Sequence, residues 1–284
     1  MSSRLVAVNP HAAHAISPLA LSKCLWRNRQ LIVQMTKREV MGRYKGSAIG
    51  LAWSFFNPVF MLGVYTFVFS EIFKSRWGGI GGDESKTQFA VVLFVGMIVL
   101  SLFSEVVNRA PTLIFSNVNY VKKVVFPLEI LPVVVMGAAL FHNLISLCVL
   151  LAAFLIFNGY LQWTVIFTPL VLFPLIILTT GLAWMLAAIG VYLRDVGQTI
   201  GIITTILMFL SPVFYPVTAV PERFRAYIMA NPLTFIIEQT REVLIWGHLP
   251  NWAGLGIYTL AATIIAWAGY ALFQKTRKGF ADVL

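Results

Sequence analysis

Along its length the chain alternates between long stretches with no charged side chain and short stretches that hold nearly all of them. Residues 46–70, 87–104, 130–193, 196–221 and 243–274 contain no Asp, Glu, Lys or Arg. A helix of about 20 apolar residues crosses a bilayer. Four of these runs therefore predict one span each, and the long run 130–193 predicts two. The division falls at "NGYLQW" (158–163), where Asn-Gly favours a turn and Tyr160 and Trp163 suit a membrane interface. Six spans result, centred on roughly 49–70, 88–108, 131–157, 163–191, 198–217 and 252–273. The predicted fold class is an all-α integral membrane protein with six transmembrane helices.

The segments between the spans have patterns of their own. Ser17 and Pro18 form a helix start, with a hydroxyl at the N-cap and proline at the first helical position. Beyond them Leu21, Leu25, Ile32 and Met35 share one face, opposite Lys23, Arg27, Arg29, Gln30, Lys37 and Arg38. This predicts an amphipathic helix over 17–45 lying on the cytoplasmic membrane surface; packing on a partner is the alternative. Residues 1–16 read as a disordered tail without a continuous apolar signal core, and 275–284 as a short cytoplasmic tail. The loop 109–129, "RAPTLIFSNVNYVKKVVFPLE", is too long for a turn and too apolar for a solvated linker, so something should dock there. In 219–251, Pro221 precedes one short helix, and Asn231-Pro232 caps a second. Two short helices near 222–246, tucked back at the external surface before the last span, are the simplest arrangement.

Composition strengthens the membrane reading and charge orients it. Of 284 residues, 59% are hydrophobic and only 11% charged, against roughly 25% charged in soluble domains. Fifteen of the 21 basic residues fall on one side of the predicted spans and six on the other, where six acids match them, so the net +10 lies on one face. By the positive-inside rule both termini are cytoplasmic. Anionic headgroups account for a basic face without nucleic acid. Cys24 and Cys148 occupy different environments and predict no disulfide.

Catalytic signatures are missing from the sequence. It has no G-x-x-x-x-G-K-[ST] loop, no H-E-x-x-H and no Cys/His cluster, so neither a nucleotide loop of that kind nor a metal site is expected in this chain. "WGGIGGDE" (77–84) reads as a flexible external turn. No G-x-S-x-G serine context supports an intramembrane protease. His142, Asn143 and Ser146 lie inside the third span; such groups form interhelical hydrogen bonds or line an aqueous path. Glu238, Arg241 and Glu242 read as a charged face of an external helix rather than an acid–base pair. Arg194-Asp195 closes the fourth span as a local ion pair or a contact to a cytoplasmic subunit.

Two spans carry polar stripes. Ser54, Asn57, Met61, Tyr65 and Phe69 on the first stay within roughly 60° of one line at about 100° per residue. Gly201, Thr204, Met208, Ser211 and Tyr215 repeat the pattern on the fifth. Hydroxyls, amide and aromatic faces without charge suit a sugar chain that stacks and exchanges hydrogen bonds. Ordinary helix packing is the alternative reading.

The motifs "REVMGRYKGSAIGLAWSFFNP" (38–58), "VKKVVFPLEILP" (121–132), "YLRDVGQ" (192–198), "LSPVFYPV" and "NPLTFIIEQTRE" (ending at 242), in this order, resemble the permease subunit of bacterial polysaccharide exporters. These are type-2 ATP-binding cassette transporters, and the form is most similar to their O-antigen branch. The resemblance implies a permease domain over 46–274, working as a homodimer with two copies of an ATP-binding subunit. It implies a lipid-linked polysaccharide cargo in the inner membrane, with capsule, teichoic acid, lipid or drug cargoes as the alternatives. ATP and Mg would be bound by the partner, with no cofactor in this chain and no bond-making. It further implies a coupling helix near 111–122, with Asn117, Asn119 and Tyr120 as docking residues beside Arg194 and Asp195, re-entrant helices near 222–246, and a channel lined by the first and fifth spans.

Overall fold

The computed structural model describes residues 16–72, 86–122 and 126–284. The expected tail up to residue 15, the glycine-rich turn at 77–84 and residues 123–125 of the loop 109–129 lie outside these. Among the described residues every regular element is helical, and five helices are long and apolar enough to cross a membrane: Gly50–Phe69, Phe89–Thr112, Leu128–Asn158, Trp163–Tyr192 and Trp252–Val283. The protein is an all-α integral membrane protein.

The N-terminal amphipathic segment is two helices, α1 (Pro18–Arg27) and α2 (Arg29–Arg43). The Ser17 hydroxyl accepts from the Ala20 amide at 3.1 Å, as the cap predicts. Asn28 breaks the helix in two, with its side-chain amide donating to the Cys24 carbonyl at 2.9 Å. Met35 is buried, and Leu21, Leu25 and Ile32 pack against the core with it, so the apolar face falls where the periodicity put it. That face lies on the protein itself: Thr36 crosses Gly137, where an added Cβ would stand 2.9 Å from the threonine hydroxyl.

The first span holds α3 (Trp53–Tyr65), which tolerates Pro58 and passes into a wider turn of helix over Thr66–Ile72. The second, α4 (Lys86–Arg109), is central: 78% of its most apolar window is buried, against 17% for the first span. The loop after it contains α5 (Val118–Lys122). The third span, α6 (Leu131–Asn158), ends at Gly159, whose φ of 76° is left-handed and whose amide bonds the Leu155 carbonyl. The Asn-Gly turn therefore separates the third and fourth spans as the sequence indicates.

The fourth span, α7 (Thr168–Tyr192), packs closely along α11 (Trp252–Thr276). Their backbones touch: a Cβ at Gly269 would lie 2.1 Å from the Gly181 carbonyl oxygen, and one at Gly181 would lie 2.3 Å from Ala266 Cα. Small residues permit this approach where lipid offers no hydrophobic drive. Gly190 seats α7 on the loop after α4 in the same way, 2.1 Å from the Pro111 carbonyl oxygen for an added Cβ.

The predicted fifth span differs. Its helix, α8 (Val196–Leu210), stops at Ser211, which takes an extended ψ of 147°. Pro212 follows, and proline pushes the residue before it out of the helical region. The apolar run continues to 217, but the helix does not. Next come α9 (Glu222–Ala230) and α10 (Pro232–Arg241), with Asn231 accepting from the Leu233 amide at 2.9 Å. The expected charged surface face is corrected here, because α10 is buried against α4 and α7, and Arg241 is only 1% exposed.

Candidate functional site

Four of the five residues on the first-span stripe line a single polar cavity. Ser54, Asn57, Met61 and Tyr65 of α3 face Ser101 and Glu105 of α4 and His142, Asn143 and Ser146 of α6. The space is about 330 Å³, within the range of small-ligand sites. Arg43 and Tyr44, at the end of α2, line it too. Phe69 lies beyond it, its ring 5.5 Å from Phe89 and 6.0 Å from Phe214.

Inside the cavity three groups share one cluster. Arg43 Nη2 is 2.6 Å from Glu105 Oε1, and Arg43 Nη1 is 3.2 Å from His142 Nδ1. A guanidinium only donates, so in the contact with Arg43 Nδ1 is the acceptor. Nε2 is buried and has no hydrogen-bond partner among the described residues. The longer 3.4 Å approach of Nδ1 to Glu105 is secondary to the arginine contact. Glu105 offsets the arginine charge, so the cavity presents donors and acceptors with little net charge.

The two readings of the third-span polar pair divide between its residues. Asn143 makes an interhelical hydrogen bond, donating to the Ile98 carbonyl at 2.9 Å, whereas the His142 ring faces the cavity. Ser146 returns its hydroxyl to the His142 carbonyl at 3.0 Å.

The fifth-span stripe does not reach this space. Thr204 donates to Asn108 Oδ1 at 3.0 Å, Met208 packs on the core, and buried Ser211 accepts from Asn231 Nδ2 at 2.9 Å. Tyr215 donates to the Phe209 carbonyl at 2.9 Å. Within one chain this stripe holds α8 to its neighbours.

At the end of the bundle that holds α5, the docking candidates lie close together. Asn119 is exposed, and the half-buried Asn117 donates to the Leu113 carbonyl at 2.9 Å. The Tyr120 hydroxyl accepts from Arg38 at 2.7 Å, and its ring stacks on Phe126 at 4.3 Å. Exposed Arg194 stands over the Phe115 ring at 5.4 Å, which joins the turn after α7 to the loop carrying α5. Arg194 and Asp195 form no ion pair among the described residues.

Sequence reasoning passed over two networks. Glu129 accepts from Arg277 Nη1 at 2.6 Å and from the Cys24 thiol at 3.1 Å, while its backbone carbonyl accepts from Trp184 at 2.9 Å. This clamps α1, the fourth span and the last span together. Burial, with the Glu129 carboxylate beside it, pushes the Cys24 thiol up to about 11. The other network contains Glu105. Its signal was present, because Glu105 is the single charged residue within 88–108, and an ionisable group inside a span marks function by default.

The ABC-2 type transporter family profile matches residues 30–245. The O-antigen export system permease protein RfbA of Myxococcus xanthus is 26% identical over 266 residues, covering 93% of this chain and 99% of that protein. The Klebsiella pneumoniae protein of the same name is 25% identical, covering 89% and 95%. The polysialic acid transport protein KpsM of Escherichia coli is 25% identical, covering 84% and 90%. With several membrane-crossing helices and a profile match over well more than half its length, this chain belongs to the ABC-2 type transporter family.

Proposed function

We propose that this chain is the membrane subunit of an ATP-driven exporter that moves lipid-linked O-antigen polysaccharide from the cytoplasm across the bacterial inner membrane. The observation that carries this reading is the polar cavity along the Ser54–Tyr65 stripe, in a chain whose near full-length relatives are named for O-antigen export. Export of another polysaccharide is the second reading, favoured by the similarity to KpsM, which is named for polysialic acid transport.

The permease works as a homodimer with two ATP-binding subunits, which bind ATP and Mg. The loop carrying α5, with Asn117, Asn119 and Tyr120 next to Arg194 and Asp195, is the docking surface. Both termini are cytoplasmic, α8 with the segment after Ser211 makes the sixth crossing, and α9 and α10 form a re-entrant pair on the external side. The first and fifth spans line the channel. Support for the dimer comes from α3, whose Phe55, Phe60 and Val64 are at least half exposed.

A polymer longer than the bilayer is thick must be moved in steps. ATP-driven rocking of the docking loop reaches α7 through Gly190 and Pro111, and reaches α8, a channel wall, through its contact with Ala110–Thr112. Hydroxyl, amide and aromatic groups hold sugars weakly enough for sliding. An unpaired charge would hold an anionic unit too long, and the Arg43–Glu105 pair avoids that.

Inverted membrane vesicles containing permease and ATP-binding subunit, given lipid-linked polymer outside, should take polymer into the lumen only with ATP. A cysteine at Tyr65 should become reagent-accessible during turnover. Polymer uptake without the ATP-binding subunit, or none with both subunits and ATP, contradicts the proposal.

A further inference from the structure

A second and larger cavity opens on the opposite side of α6. It is a groove of about 890 Å³ enclosed by α1, α2, α6, α7 and α11. Leu25, Val40, Leu140, Ile177 and Trp267 give its character, and Lys37 is the only charged residue among those lining it. No acid faces that ammonium, and Lys37 has no ion-pair or hydrogen-bond partner among the described residues. The groove shares no lining residue with the polar cavity: on α6 it uses Val133, Met136, Gly137, Leu140 and Phe141, and the cavity uses Ala139, His142, Asn143 and Ser146.

We propose that this groove binds one acidic glycerophospholipid of the cytoplasmic leaflet, with acyl chains along the apolar walls and headgroup phosphate on Lys37. Three observations carry this. The far walls are helices that cross the membrane, so lipid is the solvent of the groove. Its near wall is the amphipathic pair α1–α2, which exposes Lys23, Arg27 and Arg29, the pattern of a helix at a membrane surface. An unpaired cation at the mouth of an otherwise apolar slot then selects an anionic headgroup. The lipid would complete the packing of α1 and α2 on the bundle, away from the polar cavity, so it can remain bound while cargo moves.

The test uses the full chain with its ATP-binding subunit in nanodiscs of phosphatidylcholine with a minor share of phosphatidylglycerol, released into native mass spectrometry. One phosphatidylglycerol per permease chain should be retained. Lys37→Gln should weaken retention about fivefold, the equivalent of about 1 kcal/mol for one surface cation. Thr263→Trp, at an exposed position on the α11 wall, should exclude the lipid by filling the slot while the complex stays assembled. Equal retention of phosphatidylcholine, retention unchanged by Thr263→Trp, or displacement of phosphatidylglycerol by an equimolar polyprenyl diphosphate would each overturn the proposal.

Discussion

Replacing Arg241 with methionine should be among the most damaging single changes in the chain. The guanidinium is 1% exposed and bonds two other parts of the fold as well as an acid on its own helix. Nε donates to the Val92 carbonyl of α4 at 3.2 Å, Nη2 to the Val213 carbonyl beyond the α8 break at 3.1 Å, and Nη1 to Glu238 at 2.9 Å. Gly96 makes the space, since a Cβ there would stand 3.0 Å from Nη2 and 3.2 Å from Val213 Cα. Breaking a buried ion pair by removing one partner costs about 3–5 kcal/mol. Glu238 is 36% exposed and recovers water, so the low end, about 3 kcal/mol, applies. At about 2–4 °C per kcal/mol for a chain of this order of size, the midpoint should fall by about 6–12 °C. The assay is a thermal scan of purified protein in detergent at fixed rate, followed by size-exclusion recovery. Arg241→Lys, which cannot form the planar fork, should fall between wild type and Arg241→Met, and Glu238→Gln should cost about 1 kcal/mol. An Arg241→Met midpoint within 2 °C of wild type, roughly the shift of 1 kcal/mol or less, would refute the view that this residue anchors α10.

Other predictions concern different parts of the molecule. Gly269→Val should prevent stable membrane accumulation, measured by quantitative immunoblotting, because its Cβ would overlap the Gly181 carbonyl; wild-type levels would contradict the backbone contact. In a Cys148→Ser background, Cys24 alkylation should climb about tenfold per pH unit from 7 to 10 with no plateau near 9. A thiol raised to about 11 gains thiolate throughout that window. Glu129→Gln should speed the reaction at every pH, and a plateau near 9 in the parent would dismiss the buried, carboxylate-bonded thiol. Asn119→Arg, at an exposed position on α5, should abolish co-purification of the ATP-binding subunit while leaving the thermal midpoint within 2 °C, a change of about 1 kcal/mol or less. Unimpaired co-purification would remove α5 from the docking surface.

The span pattern was legible because a charge is costly in hydrocarbon, so charge-free runs marked the spans directly. The Asn-Gly turn at 158–159 and the Ser17 and Asn231 caps were legible because their chemistry is local. The end of α8 was misplaced by following apolarity to 217, although Pro212 already carried the backbone signal. Arg241 was read as part of a surface face because its partners, Val92 and Val213, are distant in sequence and no local pattern reveals them. The first-span stripe does line a cavity, yet the fifth-span stripe, equal in periodicity, is engaged in packing on Asn108 and Asn231. Periodicity shows that positions share a face and says nothing about what that face meets. The Arg43–Glu105–His142 cluster needed three helices assembled, with only the lone acid at 105 to signal it.

Export of a lipid-linked polysaccharide is tested most directly by deleting the gene, staining the cell surface for polysaccharide, and assaying lipid-linked polymer inside the same cells. Surface polymer should be lost and polymer should accumulate inside, both reversed by the wild-type gene. Unchanged surface polymer with none retained inside would contradict it.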